Sequence, residues 1–387
     1  MRLFRKNAEG ENVLIPSKFV QDSEGNYWES RGNIGGSTLM VPAPEWAGNI
    51  NFYLFEGPNI FIEPTRKPLC DVPIVRAGGK STDGNNLILT DDEKNELLRT
   101  DPQAEKFIRP YMMGKDFINR ISRWCLWLKG IEPADIRKCP RVLERIERVR
   151  EFRLKSKKEA TRRKADTPML FDEIVESSTD YLAIPKTSSC NRKYIPIAWL
   201  PHEVIAGDGI FMCENIKLYH FGVLSSIVHN AWVRKISGRL GLSYRYSNTI
   251  DYNAFPWPVL HNIPTKPGQP PKIHPSIPEI ENTAQAILNA RALYPRSSLA
   301  DLYDERTMPP ELRKAHQKND EAVMRAYGFR RHFEDDRAHE EDIVIQLMYM
   351  YQELTGCEEG SDTYPNREFW QSWFGEDEDD EDFEEED

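Results

Sequence analysis

The segment at residues 255–278 constrains the fold of this chain most strongly, because it contains eight prolines in 24 residues. Proline lacks a backbone N–H and its ring clashes with the preceding helical turn, so neither a helix nor a central strand tolerates this density. We therefore expect a linker at residues 259–278, with one domain before it and another after it.

The sequence after this linker has helical patterns. Pro310 suits the first turn of a helix that Gly328 would end. A second helix is indicated by the spacing of Ile343, Leu347, Tyr351 and Leu354. We expect a small helical C-terminal domain at residues 279–356. Residues 357–387 form an acidic tail, which we expect to be disordered because it has little to bury.

Before the linker, strand and helix patterns are mixed. Thr90 followed by Glu93 predicts a capping box that opens a helix. Buried or half-buried strands are predicted at residues 124–128, 181–184, 194–199 and 210–213. A helix is predicted from the spacing of Phe221, Leu224, Val228, Ala231 and Trp232, with Gly238 as its stop. The fold class is therefore α+β, with a mixed α/β domain at residues 76–258 followed by the helical domain.

The first 75 residues have the appearance of an incomplete domain. They are rich in Gly, Asn, Ser and Pro, and short apolar runs at residues 51–55 and 59–62 predict strands. The glycine-rich residues 32–37 follow no apolar strand and are interpreted as a turn.

Charge is distributed unevenly along the chain. The net charge is -11, yet residues 376–387 contain eleven acidic residues in twelve, so the remainder is close to neutral. Within that remainder the basic segment, residues 137–164, contains thirteen Lys or Arg against four Glu. A helix is predicted from about Arg141 to Arg163, with Val142, Ile146, Val149 and Arg153 on one stripe. A solvated helix with ion pairs such as Glu144 with Arg148 stays open as an interpretation, although four glutamates cannot neutralise thirteen cations.

Residues 238–258 contain a run that alternates between two kinds of side chain. One set is Leu240, Leu242, Tyr244 and Tyr246, and the other is Arg239, Gly241, Ser243, Arg245 and Ser247. The pattern predicts one strand with a packed face and a face of hydrogen-bond donors. A guanidinium can bond bidentately to the O6 and N7 atoms of guanine, so such a face suits DNA bases. A surface strand whose arginines pair with nearby carboxylates gives the same alternation, and the sequence leaves both interpretations open.

Motifs for catalysis, cofactors and metals are incomplete. Residues 78–82 end like a phosphate-binding loop, but Ile74 stands where that loop needs glycine. The two Pro-Pro pairs lack the Asn, Asp or Ser before and the aromatic residue after that grip a flipped base in amino methyltransferases. The six cysteines form no C-x-x-C pair, and we expect no metal site. No window reaches the roughly 18 apolar residues of a membrane helix, and the start of the chain lacks a signal-peptide pattern. We expect a cytoplasmic location and no membrane partner.

Several segments resemble segments of one protein family and occur in the same order along the chain as in that family. They are KPLCDVP at 67–73, PQAEKFIRPYMMGKDFIN at 102–119, RWCLWL at 123–128, RVREFRLKSKKEATRRKADTP at 148–168, RKYIPIAWL at 192–200, LYHFGVLSSIVHNAWVR at 218–234, the run at 238–258 and TMPPELRKAH at 307–316. Together they resemble the C-terminal part of the MmeI-like (type IIL) DNA methyltransferases of bacterial restriction-modification.

The resemblance implies a target-recognition domain followed by a helical domain, and double-stranded DNA as the partner. Members of the family methylate the N6 atom of adenine with S-adenosylmethionine, and many carry a nuclease domain at the amino end. We expect no cofactor on this chain, because the glycine motif and the Pro-Pro motif of such enzymes should lie before Met1. Residues 1–75 would then be the edge of a catalytic domain, and a separately encoded catalytic methyltransferase chain would be a second partner.

The resemblance also implies roles for single residues. The residues expected to read bases are Gly241, Ser243 and Arg245, with Asp208 and Gly209 as a second group. The residues expected to hold the DNA backbone are Arg239, Arg192, Lys193, Lys155, Lys157, Lys158, Arg162, Arg163, Lys115 and Arg123. Gly241 departs from this scheme because it has no side chain, so its base pair is unread or a neighbouring residue reads it.

Three functions remain open at this point. The first is a DNA target-recognition module without catalytic motifs. The second is a working S-adenosylmethionine-dependent methyltransferase whose catalytic centre follows an unfamiliar pattern. The third is a non-catalytic interaction protein whose acidic tail mimics DNA or covers the basic segment.

Overall fold

The computed structural model of the protein describes residues 4–6, 12–14, 20–23, 25–34, 37–43, 45, 47, 49–260, 273–329 and 336–356. Most of the proline-rich linker and the whole acidic tail lie outside the described residues. The chain divides into two units, one formed by Met1–Phe61 with Gln352–Asp387 and the other by Ile62–Tyr351.

The smaller unit contains short antiparallel strands. β1 (Phe4–Lys6) pairs with β2 (Asn12–Leu14), and β3 (Val20–Gln21), β4 (Tyr27–Ile34) and β5 (Ser37–Pro42) form a second sheet in that order. In the second sheet Ile34 pairs with Ser37, so the glycine-rich residues 32–37 lie where two antiparallel strands meet. A nucleotide loop needs a helix after its strand, whereas a strand follows here, and Gly35 and Gly36 between the two strands lie outside the described residues.

The strands predicted at residues 51–55 and 59–62 are wrong. Beyond an isolated bridge between Ile50 and Glu56, these residues form turns and irregular structure. The side chain of Asn51 accepts hydrogen bonds from the backbone N–H groups of Tyr53 (3.0 Å) and Phe55 (3.4 Å). This local hydrogen bonding takes the place of a strand ladder.

The larger unit is built from short strands and helices. Its strands are β6 (Val75–Ala77), β7 (Ile88–Leu89), β8 (Ile108–Met112), β9 (Trp124–Leu126), β10 (Tyr181–Pro185), β11 (Thr187–Ser188), β12 (Ala198–Leu200), β13 (Ile205–Ala206), β14 (Ile210–Glu214), β15 (Gly238–Leu240) and β16 (Ser243–Arg245). The helices of the chain are α1 (Asp91–Thr100), α2 (Gly114–Asn119), α3 (Pro133–Ile136), α4 (Pro140–Leu154), α5 (Glu159–Arg163), α6 (Leu218–Leu224), α7 (Ile227–Ile236), α8 (Ser276–Ala292), α9 (Leu299–Tyr303), α10 (Pro310–Tyr327) and α11 (Asp336–Thr355). The chain also has short 3-10 helices at Pro102–Phe107 and Lys164–Asp166 and a short π-helix at Asn248–Tyr252.

Three sheets organise this unit. Their strand orders are β12-β10-β14-β6, β13-β8-β9-β7 and β11-β16-β15. All pairs are antiparallel except β13 with β8. The sheet β13-β8-β9-β7 contributes Leu89, Tyr111 and Leu126 to a core that also contains Val142 and Val149 of α4. The basic segment is therefore attached to this sheet through its apolar stripe.

Several sequence predictions for this unit are confirmed. Thr90 and Glu93 form both hydrogen bonds of the capping box at the start of α1. Predicted strands correspond to β9, β10 and β14. The strand predicted at residues 194–199 is reduced to β12, because Pro196 has no N–H to donate to a ladder.

The helix predicted around Phe221 is divided in two. α6 ends at Leu224, and Ser226 caps the start of α7 by accepting a hydrogen bond from the N–H of His229. α7 ends at Ile236 with Ser237 in an extended conformation, so Gly238 is the first residue of β15 and not a helix stop as predicted.

The C-terminal helices pack on the mixed domain. α8 contacts α6 and α10, and a Cβ atom at Gly222 of α6 would lie 2.4 Å from the Ile280 side chain, so only glycine permits this approach. Pro310 opens α10 and Gly328 ends it with a left-handed conformation, as predicted. The mixed domain followed by packed helices confirms the α+β fold class. Among the described residues, no helix combines the length and the apolar character needed to cross a bilayer.

Candidate nucleic-acid interface

The alternating run forms a β-hairpin, which we call the reading hairpin (residues 238–245). β15 and β16 pair so that Gly238 lies opposite Arg245, Arg239 opposite Tyr244 and Leu240 opposite Ser243. The connection is the two-residue turn Gly241-Leu242, in which Gly241 has a φ of +56°. Glycine at this position is typical of type II′ turns, which match the twist of paired strands. The prediction of a single strand is therefore wrong.

The hairpin changes which side chains share a face. Residues that lie opposite each other in an antiparallel pair point to the same side, and the side alternates along each strand. Leu240, Ser243 and Arg245 therefore share one face, whereas Arg239 lies on the other face with Tyr244. Arg239 stacks on the Tyr244 ring at 4.2 Å and donates to the carbonyl of Arg234. The prediction that both arginines share a face of donors is corrected, because the chain reverses between them.

The outer face of the reading hairpin is exposed. Strand β11 pairs with β16 on its other edge, with Thr187 opposite Arg245, so Arg245 lies on the central strand of a three-stranded sheet. Its side chain is exposed and has no hydrogen-bond or ion-pair partner within the part of the chain that the structure describes. The alternative that both arginines pair with carboxylates is not supported within that part.

The inner face of the reading hairpin is fixed by buried groups. Tyr244 and Tyr246 are buried, as predicted, but Leu240 and Leu242 are exposed, which corrects the predicted packed face. The Tyr246 hydroxyl lies 3.0 Å from Nε2 of His229, and the Tyr246 N–H donates to the carbonyl of Lys186. Burial lowers the pKa of His229 to about 3, so its imidazole is neutral at physiological pH.

A buried carboxyl group supports both ends of the hairpin. Asp251 Oδ2 accepts the N–H of Ser247 (2.6 Å) and lies 2.9 Å from the hydroxyl of Ser237, which also lies 2.6 Å from the carbonyl oxygen of Arg245. Burial raises the pKa of Asp251 to about 7, while the bonds from Ser247 and Ser237 oppose this rise. The network connects the residue before β15 to the residues that follow Arg245.

The second predicted base-reading group lies near the first. Asp208 and Gly209 occupy the loop between β13 and β14, and the carbonyl of Gly209 accepts the N–H of Lys186. Burial lowers the pKa of the Lys186 ammonium, Asp208 raises it and Arg245 lowers it. Lys186 therefore lies close to both Asp208 of the second set and Arg245 of the first set. Lys186 was missed at the sequence level, since a single lysine after an apolar run gives no signal of its own.

Two weaker candidates flank this loop. Gly114, at the start of α2, packs so closely on Gly209 that a Cβ atom on Gly114 would lie 2.7 Å from its carbonyl oxygen. Lys115 follows on the same helix and is exposed. Arg123 forms an ion pair with the buried Asp116 at 3.2 Å, and this contact accounts for Arg123 without DNA.

The cations of the basic segment lie on its surface. The predicted continuous helix is interrupted after α4, at residues 155–158, before α5 begins. The exposed candidates for phosphate contacts are Lys155, Lys157, Lys158, Arg162 and Arg163. Arg163 pairs with Glu159 at 2.6 Å, and Arg162 donates to the carbonyls of Ser156 and Lys157. The predicted pair of Glu144 with Arg148 is replaced by one between Glu144 and Arg141.

One cation of the basic segment is completely buried. The Arg153 guanidinium donates to five backbone carbonyl oxygens at 2.7–3.1 Å. They belong to Ser81, Thr82, Lys164, Thr167 and Leu170. Arg153 therefore fixes the path of the chain on both sides of the exposed cations.

Residues 78–80 do not form a phosphate-binding loop, because their N–H groups donate within the fold. The N–H groups of Gly78 and Gly79 donate to Ile210 and Ala206, so they are engaged within the fold. A Cβ atom at Gly78 would lie 2.3 Å from the carbonyl oxygen of Gly207, so this glycine serves a close backbone approach.

Arg192 and Lys193 lie in a different environment. They line a cleft of about 630 Å³ together with Asp304, Glu305 and Glu340 of the C-terminal domain. Burial lowers the pKa of Arg192 and Asp304 raises it. Carboxylates within this cleft oppose a phosphate, so these two residues are weaker candidates for backbone contacts than the basic segment.

A rigid sheet with an exposed arginine, together with a separate cationic surface, is an arrangement of DNA-recognition domains. Residues 56–259 match the family model described as MmeI, target recognition domain, and residues 275–357 match the one described as MmeI, C-terminal domain. The chain thus belongs to the MmeI family and contains its target recognition and C-terminal domains.

Two relatives extend this comparison. The chain is 34% identical over 307 residues to DNA methyltransferase A of Bacillus subtilis (strain 168), an alignment that covers 79% of this chain and 33% of that protein. A solved structure of the type IIL restriction-modification enzyme MmeI in complex with DNA is 38% identical, with a TM-score of 0.73, and the match covers 92% of this chain and 45% of that one. The chain therefore spans less than half the length of either relative.

Proposed function

We propose that this chain is the sequence-specific DNA recognition portion of a restriction-modification adenine-N6 DNA methyltransferase. The observation that carries the proposal is the exposed guanidinium of Arg245 on the central strand of a sheet whose opposite face is buried. Its position in a domain of the MmeI target-recognition family supports double-stranded DNA as the ligand.

The interface divides the work between two surfaces. Ser243 and Arg245 contact base edges from the outer face of the reading hairpin, with Asp208 and Gly209 beside them. Gly241 contributes its backbone at the tip of the hairpin. The phosphates are held by the exposed cations of the basic segment, which position the duplex without carrying sequence information. Arg239 is a weaker backbone contact, since it is engaged with Tyr244.

Methyl transfer belongs to another part of the protein or to a separate catalytic chain. S-adenosylmethionine would supply the methyl group in a complete enzyme, but the glycine segments of this chain do not fit it. The N–H groups of residues 78–80 are engaged within the fold, and Ile34 pairs with Ser37 in an antiparallel sheet. The proposal includes a cytoplasmic location, where bacterial DNA is found.

Selection of bound duplexes from a randomised DNA library tests this function. The purified chain is incubated with the library at about 0.15 M salt, and enriched sequences are determined by sequencing. We expect one enriched motif, and Arg245→Ala should select the same motif with a single degenerate base pair. Equal binding to all duplexes by a folded protein would contradict the proposal for this chain.

A further inference from the structure

The outer face of the reading hairpin carries an apolar side chain beside its polar ones. Leu240 is 58% exposed and lies opposite Ser243, on the face of Arg245. At the tip, Leu242 is 81% exposed, and Gly241 between the two leucines has no atom within 4 Å of where its Cβ would be. Single exposed leucines are ordinary, but here an exposed leucine shares a rigid face with a guanidinium that lacks a carboxylate partner among the described residues.

A two-stranded ribbon fits the major groove of B-DNA, which is about 12 Å wide. In that groove the base edges present hydrogen-bonding atoms and one apolar group, the C5-methyl of thymine. A face that combines guanidinium, hydroxyl and isobutyl groups complements those features.

From this complementarity we propose that Leu240 is a specificity-determining residue, which contacts the C5-methyl group of a thymine in the recognised sequence. This inference rests on the proposed DNA recognition and deepens it. Leu240 is then the neighbouring residue that contacts the base pair for which Gly241 has no side chain.

The geometry restricts where that thymine lies. Diagonal neighbours across an antiparallel pair, such as Leu240 and Arg245, are about 7–8 Å apart. Successive base pairs rise by about 3.4 Å, so this separation corresponds to about two steps. The thymine therefore lies within two base pairs, on either strand, of the position at which Arg245→Ala relaxes base preference.

Replacing thymine by uracil tests the contact, since uracil lacks only the C5-methyl group. In the duplex selected by the wild-type chain, each thymine is replaced in turn and the dissociation constant is measured by fluorescence anisotropy. We expect one replacement near the Arg245 position to weaken wild-type binding about fourfold, as for one methyl group returned to water. Leu240→Ala should bind the thymine and uracil duplexes equally.

Two further variants control the result. Leu240→Met keeps an apolar side chain of similar volume and should retain the uracil penalty. Leu293→Ala removes a leucine that is 64% exposed after α8 and should also retain it. Unchanged thermal unfolding of Leu240→Ala shows that the hairpin is intact.

Three outcomes would overturn the assignment. The first is a wild-type chain that binds every uracil duplex as tightly as the thymine duplex, and the second is a uracil penalty that persists in Leu240→Ala. The third is a selected sequence without thymine near the Arg245 position. In these cases a selected sequence still exists and the proposed function stands. If no sequence is enriched, both the proposed function and the role of Leu240 are overturned.

Discussion

The reading hairpin and the basic segment each rest on a buried polar side chain, but the two side chains have opposite hydrogen-bonding roles. Beneath the hairpin, Asp251 accepts hydrogen bonds from residues at both ends of it. Beneath the basic segment, Arg153 donates to five carbonyl oxygens, three of which follow the exposed cations in the chain and two of which belong to Ser81 and Thr82.

Under the proposed function, the difference follows from what each surface would recognise. A base edge is identified by hydrogen bonds of fixed geometry, so a reading side chain needs a strand whose register cannot change. A phosphate is attracted by charge over a wider range of positions. The exposed cations at residues 155–163 therefore need a backbone that is held in place, but their side chains do not need a single rotamer. Four predictions sharpen this comparison.

The largest effect is expected at Arg153. Arg153→Ala removes a buried donor from five carbonyl oxygens and should lower the free energy of unfolding by about 3–5 kcal/mol. Arg163→Ala is the matched control, because its side chain is 77% exposed and surface changes stay within about 0.5 kcal/mol. Urea unfolding measures both, and a loss below about 1 kcal/mol for Arg153→Ala would show that the carbonyls find other donors.

Asp251 should give the next effect, through pH. Its pKa is about 7 in the folded chain against an ordinary value of 3.8, so the folded state holds a proton that the unfolded state releases. The stability from this proton is complete below about pH 4 and declines as the pH rises to about 7, by up to about 1.4 kcal/mol per pH unit. Asp251→Asn should remove this decline.

Comparison with wild type at each pH isolates the contribution of Asp251, which amounts to about 2–3 kcal/mol between pH 5 and pH 8. Other buried groups also titrate in this range. Asp320 has a raised pKa and acts in the same direction, whereas the lowered pKa of His229 and His316 destabilises the fold as the pH falls below about 6.5. A parallel pH profile for Asp251→Asn and wild type would contradict the assignment.

The two arginines of the hairpin test the assignment of its faces. Arg245→Ala should cost about 1–3 kcal/mol at one base pair and leave the salt dependence nearly unchanged. Arg239→Ala should leave base preference intact, because Arg239 stacks on Tyr244 on the inner face. Binding to a panel of single-base variants of the selected duplex measures both. A uniform loss for Arg245→Ala would identify it as a phosphate contact.

The smallest effect is expected from one exposed lysine of the basic segment. Lys157→Ala should weaken binding to every duplex by about fivefold at about 0.15 M salt and reduce the slope of log affinity against log salt by about 0.9. Lys318→Ala removes an exposed lysine of α10 as the control. If Lys157→Ala changed the preferred sequence, the division between the two surfaces would be wrong.

The sequence predicted local structure better than the pairing of distant residues. Thr90 with Glu93, and Pro310 with Gly328, act within one helix, so their spacing was sufficient. The run at residues 239–247 alternates through Leu240 and Leu242 as one strand would. A two-residue turn shifts the faces by one position, and no local pattern shows this.

The supporting contacts could not be predicted because they join residues far apart in the chain. Arg153 was placed correctly on the buried stripe of its helix, but its bonds to Ser81 and Leu170 depend on the fold. The contact of His229 with Tyr246 and the position of Lys186 between the loop at Gly209 and the reading hairpin also join residues far apart in the chain. The predicted base-reading and phosphate-binding roles, and the predicted domain boundaries, remain predictions for the experiments above.

The separation of the two faces of the reading hairpin has a consequence for how such a domain can diverge. Thr187, Leu240, Ser243 and Arg245 lie on the outer face, while Tyr244, on the inner face, packs in the core. Under the proposed function, substitutions at the outer positions would change which bases are contacted, at a cost in stability of about 0.5 kcal/mol or less. Insertion of one residue into the turn would instead shift the register and exchange the faces. Specificity can therefore drift by point mutation, whereas the length of the turn is under strong constraint.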